Sequence, residues 1–266
     1  MNIGTITCSY FMRIYDYRKP KNFDWGAMTD KYRAEFGWDD FLKLAGEIRA
    51  LGYDGIEIWE PTFSHKVYSI QQAQTMAQEL KKMGFTLTAY CIGGWSGADV
   101  NQVEPAYQFA KALGARVVTG CLVKDDSGVI LPELERCGKR YGMKYAIENH
   151  PEPNFEKPED VARAIAPYET IGANLDSGIY NIQGYDILQA ADLFGGKIYH
   201  VHLKDTTVGG GGCLPLGEGD APLKELLHKL QSRDYAQMLS VEFEFEGDPT
   251  PGLTTSRKFI KTVLGK

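Results

Sequence analysis

Apolar residues recur along this chain in two alternating rhythms. Short runs rich in Ile, Val, Tyr and Cys alternate apolar and polar positions, the period of a strand. These runs predict strands at Asn2–Cys8, Asp54–Glu60, Phe85–Cys91, Ala115–Cys121, Met143–Asn149, Ile171–Asp176, Lys197–Lys204 and Met238–Glu244. Between them, apolar residues fall three and four apart, as Phe41, Leu44, Ile48 and Leu51 do, and predict helices. The predicted helices are Trp38–Leu51, Ser69–Met83, Val100–Leu113, Leu131–Tyr141 and Tyr185–Phe194. Two more start near Pro158 and Pro222, and one ends the chain. Gly52, Gly84, Gly114, Gly142 and Gly195-Gly196 stop five of them, since glycine readily adopts the left-handed conformation that closes a helix.

Eight strand–helix units in 266 residues, with right-handed crossovers, most economically close into a single-domain (β/α)8 TIM barrel spanning 1–266. An open doubly wound sheet is the alternative, but no GxGxxG turn follows the first strand. The longest irregular connection is Ser9–Gly37, which carries eight aromatic residues, Trp25 among them. A connection of this length and composition is expected to cover the site or meet a partner subunit, so a homo-oligomer is possible.

Strand phase locates the chemistry. Met143, Tyr145 and Ile147 share one face of their strand, and Ala146, Glu148 and His150 share the other. The later strands repeat this: Asn174 and Asp176 oppose Ile171, Ala173 and Leu175; His200, His202 and Lys204 oppose Tyr199, Val201 and Leu203. Glu242, Glu244 and Glu246 oppose Val241, Phe243 and Phe245. The apolar face must pack on the outer helices, so the polar face points into the barrel. Buried charge needs a compensating partner. Glu148, Asp176, His202 and Glu242 offer three carboxylates and one imidazole, a set suited to a divalent metal ion, Mn²⁺ foremost, with Mg²⁺, Co²⁺ or Zn²⁺ as alternatives. Glu244 shares the phase of Glu242 and is the rival ligand on the last strand.

Around that set, Glu148, Glu242 and His150 are candidate proton-transfer groups, and Lys204 is a candidate for stabilising an anionic intermediate. Glu57 and Trp59 share the inward face of the second strand; Glu57 is placed to reach substrate hydroxyls or to make a structural hydrogen bond. Trp25 and Trp95, in loops after the first and third strands, are candidates for stacking on a sugar. His200 reads as a deeper core histidine, and Asp205 as a residue that fixes loop geometry. Gly209–Gly212 lacks the Lys-Ser/Thr of a phosphate loop and reads as a flexible segment.

Composition narrows the partners. Lys and Arg total 29 against 35 Asp and Glu, a net charge of −6, which speaks against nucleic-acid binding driven by clustered basic residues. No apolar run is long enough to suggest a membrane span, and Met1-Asn2 lead straight into a strand-like run with no signal-peptide pattern. Five cysteines without a CxxC pair fit reduced thiols and a cytoplasmic location.

Five segments carry a family resemblance: Gly52–Trp59, Ile147-Glu148-Asn149-His150-Pro151, Asn174-Leu175-Asp176, His200-Val201-His202-Leu203-Lys204-Asp205 and Leu216-Gly217-Glu218-Gly219-Asp220. With Leu239-Ser240-Val241-Glu242 on the last strand, they resemble the xylose-isomerase-like barrels of the sugar isomerase/epimerase superfamily. The likeness covers essentially the whole chain; each motif is weak alone, and their order along the strands is specific. It implies a Glu–Asp–His–Glu metal site at Glu148, Asp176, His202 and Glu242, and a small-molecule sugar or sugar derivative as substrate. In the related ketose 3-epimerases and hydroxypyruvate isomerases the two glutamates move protons on opposite faces of an enediolate. Two positions depart from the epimerase pattern: Ile179 stands where it has a histidine, and Val208 where it has an arginine.

The expected activity is therefore metal-dependent isomerisation or epimerisation through an enediolate. Loss of a leaving group from the same enediolate would make a lyase or dehydratase, acting on inososes or 3-keto-glycosides. A metal-dependent hydrolase and a non-catalytic sugar-binding protein are the other readings. The multi-zinc apurinic endonucleases share the barrel but carry more histidine ligands, and five histidines in all with a net charge of −6 speak against that reading.

Overall fold

Eight parallel strands pair in chain order and close on themselves. They are β1 (Asn2–Ile6), β2 (Gly55–Trp59), β3 (Leu87–Trp95), β4 (Val117–Leu122), β5 (Lys144–Glu148), β6 (Ile171–Asp176), β7 (Ile198–Leu203) and β8 (Met238–Val241). Closure is made by β8 against β1, with Thr5 opposite Val241. The computed structural model describes residues 1–266 with every side chain except that of Leu87. The helices α1 (Trp25–Glu35), α2 (Trp38–Ala50), α3 (Ile70–Lys82), α4 (Val103–Ala112), α5 (Ser127–Tyr141), α6 (Pro158–Ile165), α7 (Ser177–Ile182), α8 (Ile187–Phe194), α9 (Leu223–Ser232) and α10 (Thr250–Val263) lie in the connections. The TIM barrel expected from the alternation is the fold observed. No helix among the described residues is long and apolar enough to cross a membrane.

The two faces of each strand divide as their phase requires. Outward side chains such as Ile56, Tyr145, Ile147, Leu175, Val201 and Val241 belong to the main apolar core and are fully buried. Inside, the barrel has an apolar floor of Ala89, Val117, Ala146 and Met238. A Cβ at Gly4 or Gly55 would come within 2.3 Å of the Met238 sulfur, so these two glycines make room for the plug. With the floor filled, the polar side chains higher in the barrel open toward the C-terminal ends of the strands, where barrel enzymes place their chemistry.

Several expected boundaries move. The segment Ser9–Gly37 is largely helical rather than irregular. A 3₁₀ stretch covers Thr7–Tyr15, and α1 starts where the Asp24 carboxylate accepts from the Ala27 amide at 2.7 Å. This helix buries only Met28 and Tyr32, too narrow a stripe for periodicity to announce it. Strand β3 runs on to Trp95 through a register shift between Cys91 and Gly94. At the other end, β8 stops at Val241, although Glu242 still donates its amide to the Leu203 carbonyl at 3.0 Å.

Candidate active site

Four neighbouring strand ends bring Glu148, Asp176, His202 and Glu242 together. Glu148 ends β5, Asp176 ends β6, His202 lies on β7, and Glu242 follows β8. All four are buried, and one donor atom from each falls within 4.8 Å of the others. Local hydrogen bonds hold the strand ends in step. The Asn149 side chain donates to the Asp176 carbonyl at 3.1 Å and accepts from its amide at 2.9 Å. Ser177 does the same for Lys204, at 2.8 and 3.0 Å. Asp176 also caps α7, its Oδ1 accepting from the Ile179 amide at 2.8 Å, which turns Oδ2 into the barrel.

His202 is oriented from across the barrel. Its Nε2 lies 3.0 Å from Glu57 Oε2, the oxygen that also meets His200 Nε2 at 2.8 Å, while Thr119 donates to Glu57 Oε1 at 2.6 Å. Burial alone would raise the Glu57 carboxyl; the two imidazoles outweigh it and hold the group well below the carboxylate range. With Nε2 engaged, His202 turns Nδ1 to the carboxylates: Glu242 Oε2 at 3.0 Å, Glu148 Oε1 at 3.2 Å and Asp176 Oδ2 at 3.9 Å.

That arrangement is short of positive charge at its centre. Among the described residues Asp176 Oδ2 and Glu242 Oε2 are buried and make no hydrogen bond, the 3.0 Å approach of Glu242 Oε2 to His202 Nδ1 lying outside hydrogen-bond geometry. Burial pushes the Asp176 carboxyl well up; Lys204 opposes this, and Glu242 and Glu148 add to it. Burial would lower the His202 imidazole, but Glu57, Glu242 and Glu148 drive it well above its ordinary value. Three carboxylates facing one nitrogen and two orphaned oxygens are the donor set of a divalent cation, so the residues fit a metal ion.

Above the four lies a cavity of about 750 Å³. His150 and Lys204 line it. Lys204 Nζ is 2.5 Å from Glu244 Oε2 and 3.6 Å from Glu242 Oε1. Burial would lower the ammonium, but Glu242, Glu244 and Asp176 raise it well above its ordinary value. Glu244, the rival for the last strand, is thus engaged by Lys204, whereas Glu242 faces His202.

The aromatic candidates separate. Trp25 lines the cavity from the first position of α1, not from a loop, and is 45% exposed. Trp95 does not: it is buried and stacks on Tyr145, centroids 6.0 Å apart and rings 10° from parallel. The extension of β3 carries it outward, which corrects its reading as a loop residue placed to stack on sugar. Glu57 also does not line the cavity; of its two readings, the structural hydrogen bond describes its position. Trp59 lines the cavity instead, from the top of β2. Nothing in the sequence pattern assigns a clamping role to Asn149, which sits inside a motif, or to Ser177, because a pairing between strand ends has no period. Asp205 fixes the following loop through the amides of Gly217 at 2.7 Å and Gly219 at 3.1 Å.

Comparison with known proteins agrees with this architecture. The sequence model of the family described as the xylose isomerase-like TIM barrel matches residues 45–263. An uncharacterized protein of Methanocaldococcus jannaschii is 25% identical over 217 residues, covering 76% of this chain and 71% of that one. Among solved structures, an L-ribulose 3-epimerase superposes with a TM-score of 0.77 at 17% identity, covering 100% of this chain and 95% of the other. The IolI protein with a bound zinc atom gives 0.72 at 18% identity, covering 100% and 98%. At such identities the structural likeness is one of fold.

Proposed function

We propose that this chain, which belongs to the xylose isomerase-like TIM barrel family, is a divalent-metal-dependent isomerase or epimerase of a sugar or sugar derivative. The single observation that carries this reading is the convergence of Glu148, Asp176, His202 and Glu242, with two orphaned carboxylate oxygens, beneath an open cavity. These four would hold the ion. Three oxygens and one nitrogen suit Mn²⁺, Mg²⁺ or Co²⁺, and the zinc of the IolI neighbour supports Zn²⁺ as well. When bound, the ion would supply Lewis acidity that polarises a carbonyl and acidifies the adjacent C–H.

The chain's own residues would do the rest. Glu148 reaches the site from β5 and Glu242 from just beyond β8, and the family resemblance implies that one would take the proton from carbon and the other return it. His150 lines the cavity and would meet a substrate hydroxyl. Lys204, just beyond β7 and beside Glu242 and Glu244, would stabilise negative charge on the enediolate oxygen. The thiols of Cys8, Cys91, Cys121 and Cys213 also line the cavity, all free, which fits a reducing cytoplasm.

The test is metal analysis followed by turnover in D₂O. Deuterium on the carbon beside the carbonyl, in product or recovered substrate, is the expected result. An eliminated product lacking that hydrogen would make the enzyme a lyase. Turnover with every C–H bond intact would replace the proposal with metal-assisted hydrolysis.

A further inference from the structure

The cavity is larger than a single sugar ring requires. Its volume, about 750 Å³, lies in the upper half of the range of about 300–1,000 Å³ that encloses drug-sized ligands. The metal-type donors occupy its depth. Its outer wall comes from the segment after β1, where the Trp25 ring stacks on Phe11 with centroids 5.0 Å apart at 21°, and Phe23 meets both rings edge-on. Lys19 of the same segment pairs with Glu246, four residues beyond Glu242, which sets this wall at the rim. Ile179 and Ile182 line the cavity as well. Trp25 keeps 45% of its surface open, a large apolar exposure at the entrance of a polar site.

The charges say what the outer part does not take. The cavity's lysines, Lys19 at the rim and Lys204 beside the polar set, are paired with lining glutamates, Glu246 and Glu244, and no arginine lines the cavity among the described residues. A phosphate or carboxylate on the substrate would find no free cation there and would face Glu244 and Glu246. An uncharged apolar ring would displace weakly held water from Trp25 and Phe23 and stack on them.

We propose that the substrate is an uncharged keto-glycoside, its carbonyl-bearing sugar seated over the polar set and an aromatic or apolar aglycone resting against Trp25 and Phe23. The sugar end of this assignment rests on the proposed function; the aglycone end rests on the aromatic wall alone. The probes lack a free carbonyl and are unreactive: phenyl β-D-glucoside, methyl β-D-glucoside and methyl β-D-glucoside 6-phosphate, titrated into metal-supplemented protein by calorimetry. Phenyl glucoside should bind about 10-fold more tightly than methyl glucoside, and methyl glucoside 6-phosphate no more tightly than methyl glucoside. Trp25→Ala and Trp25→Leu, at an exposed position where folding is not at stake and is checked by circular dichroism, should each narrow the phenyl–methyl gap. Equal affinity for the phenyl and methyl glucosides, a gap that survives both variants, or tighter binding of the phosphate would overturn the aglycone subsite. A protein that binds no metal yet keeps the phenyl preference would overturn the proposed function and leave the subsite standing.

Discussion

Glu57 and His202, 145 residues apart in sequence, meet across the barrel at 3.0 Å, Oε2 to Nε2. This contact decides which imidazole nitrogen is left for the carboxylates. A metal-binding histidine is commonly oriented by a carboxylate on its other nitrogen, and loss of such a partner lowers metal affinity about 10–100-fold. Glu57→Gln places an amide where two imidazoles need an acceptor. It should weaken Mn²⁺ or Zn²⁺ binding by that order, measured by calorimetry, although Glu57 touches no cavity. Unchanged affinity would remove Glu57 from the metal's support.

Asp176 separates fold from site. Asn caps a helix as well as Asp does, so Asp176→Asn should keep the start of α7. It also removes one of three clustered carboxylates, so the metal-free variant should melt at or above the wild-type temperature. The wild type should gain about 2.7 kcal/mol at a metal concentration 100 times Kd, and the variant almost none. Equal stabilisation of both proteins by metal would place the ion elsewhere.

Arg33 ties the helix that roofs the cavity to the barrel. Its Nη2 lies 2.6 Å from Glu60 Oε2 and its Nε 3.1 Å from the same oxygen. Glu60 is buried and also bound by Ser64. Burial would raise its carboxyl, but the Arg33 and Ser64 hydrogen bonds lower it below the usual value. Arg33→Met should strand this charge and cost about 3–5 kcal/mol in urea unfolding, with earlier proteolysis in the 16–35 segment. Arg33→Met with Glu60→Gln should recover part of the loss; a double variant no better than the single would show that the charge is not the cause.

Glu135 makes stability depend on acidity. It accepts from the Thr170 amide at 2.9 Å, the Thr170 hydroxyl at 2.5 Å and the Glu169 amide at 3.1 Å. Partial burial would raise its carboxyl, but these bonds pull it from 4.5 down to about 2. A depressed folded value means the stabilisation is complete above pH 4.5 and disappears as pH falls toward 2. Glu135→Gln should therefore lose on the order of 2 kcal/mol at pH 7, and its deficit should shrink below pH 4.5. A deficit that does not vary with pH would point to packing instead.

Some of this protein is legible along the chain because a strand has a period of two. That period alone sends Glu148, Asp176, His202 and Glu242 to one face and Tyr145, Leu175, Val201 and Val241 to the other, and the glycines after the helices mark where each unit ends. A period assigns a face but not a depth. The choice of Glu242 over Glu244 depends on where β8 stops and on Lys204 reaching Glu244 from β7, contacts made only when neighbouring strands take register. The place of Glu57 beneath His202 requires β2 to face β7 across a closed barrel, and no local pattern encodes a pairing over that span. Trp95 is drawn into the core by the irregular register at Cys91–Gly94, and Trp25 reaches the cavity because Asp24 starts a helix whose buried stripe is too thin to read. The sequence determined which side chains face inward, since that is a local property of the backbone; the tertiary structure decided which of them meet, since that depends on strand stagger and barrel closure.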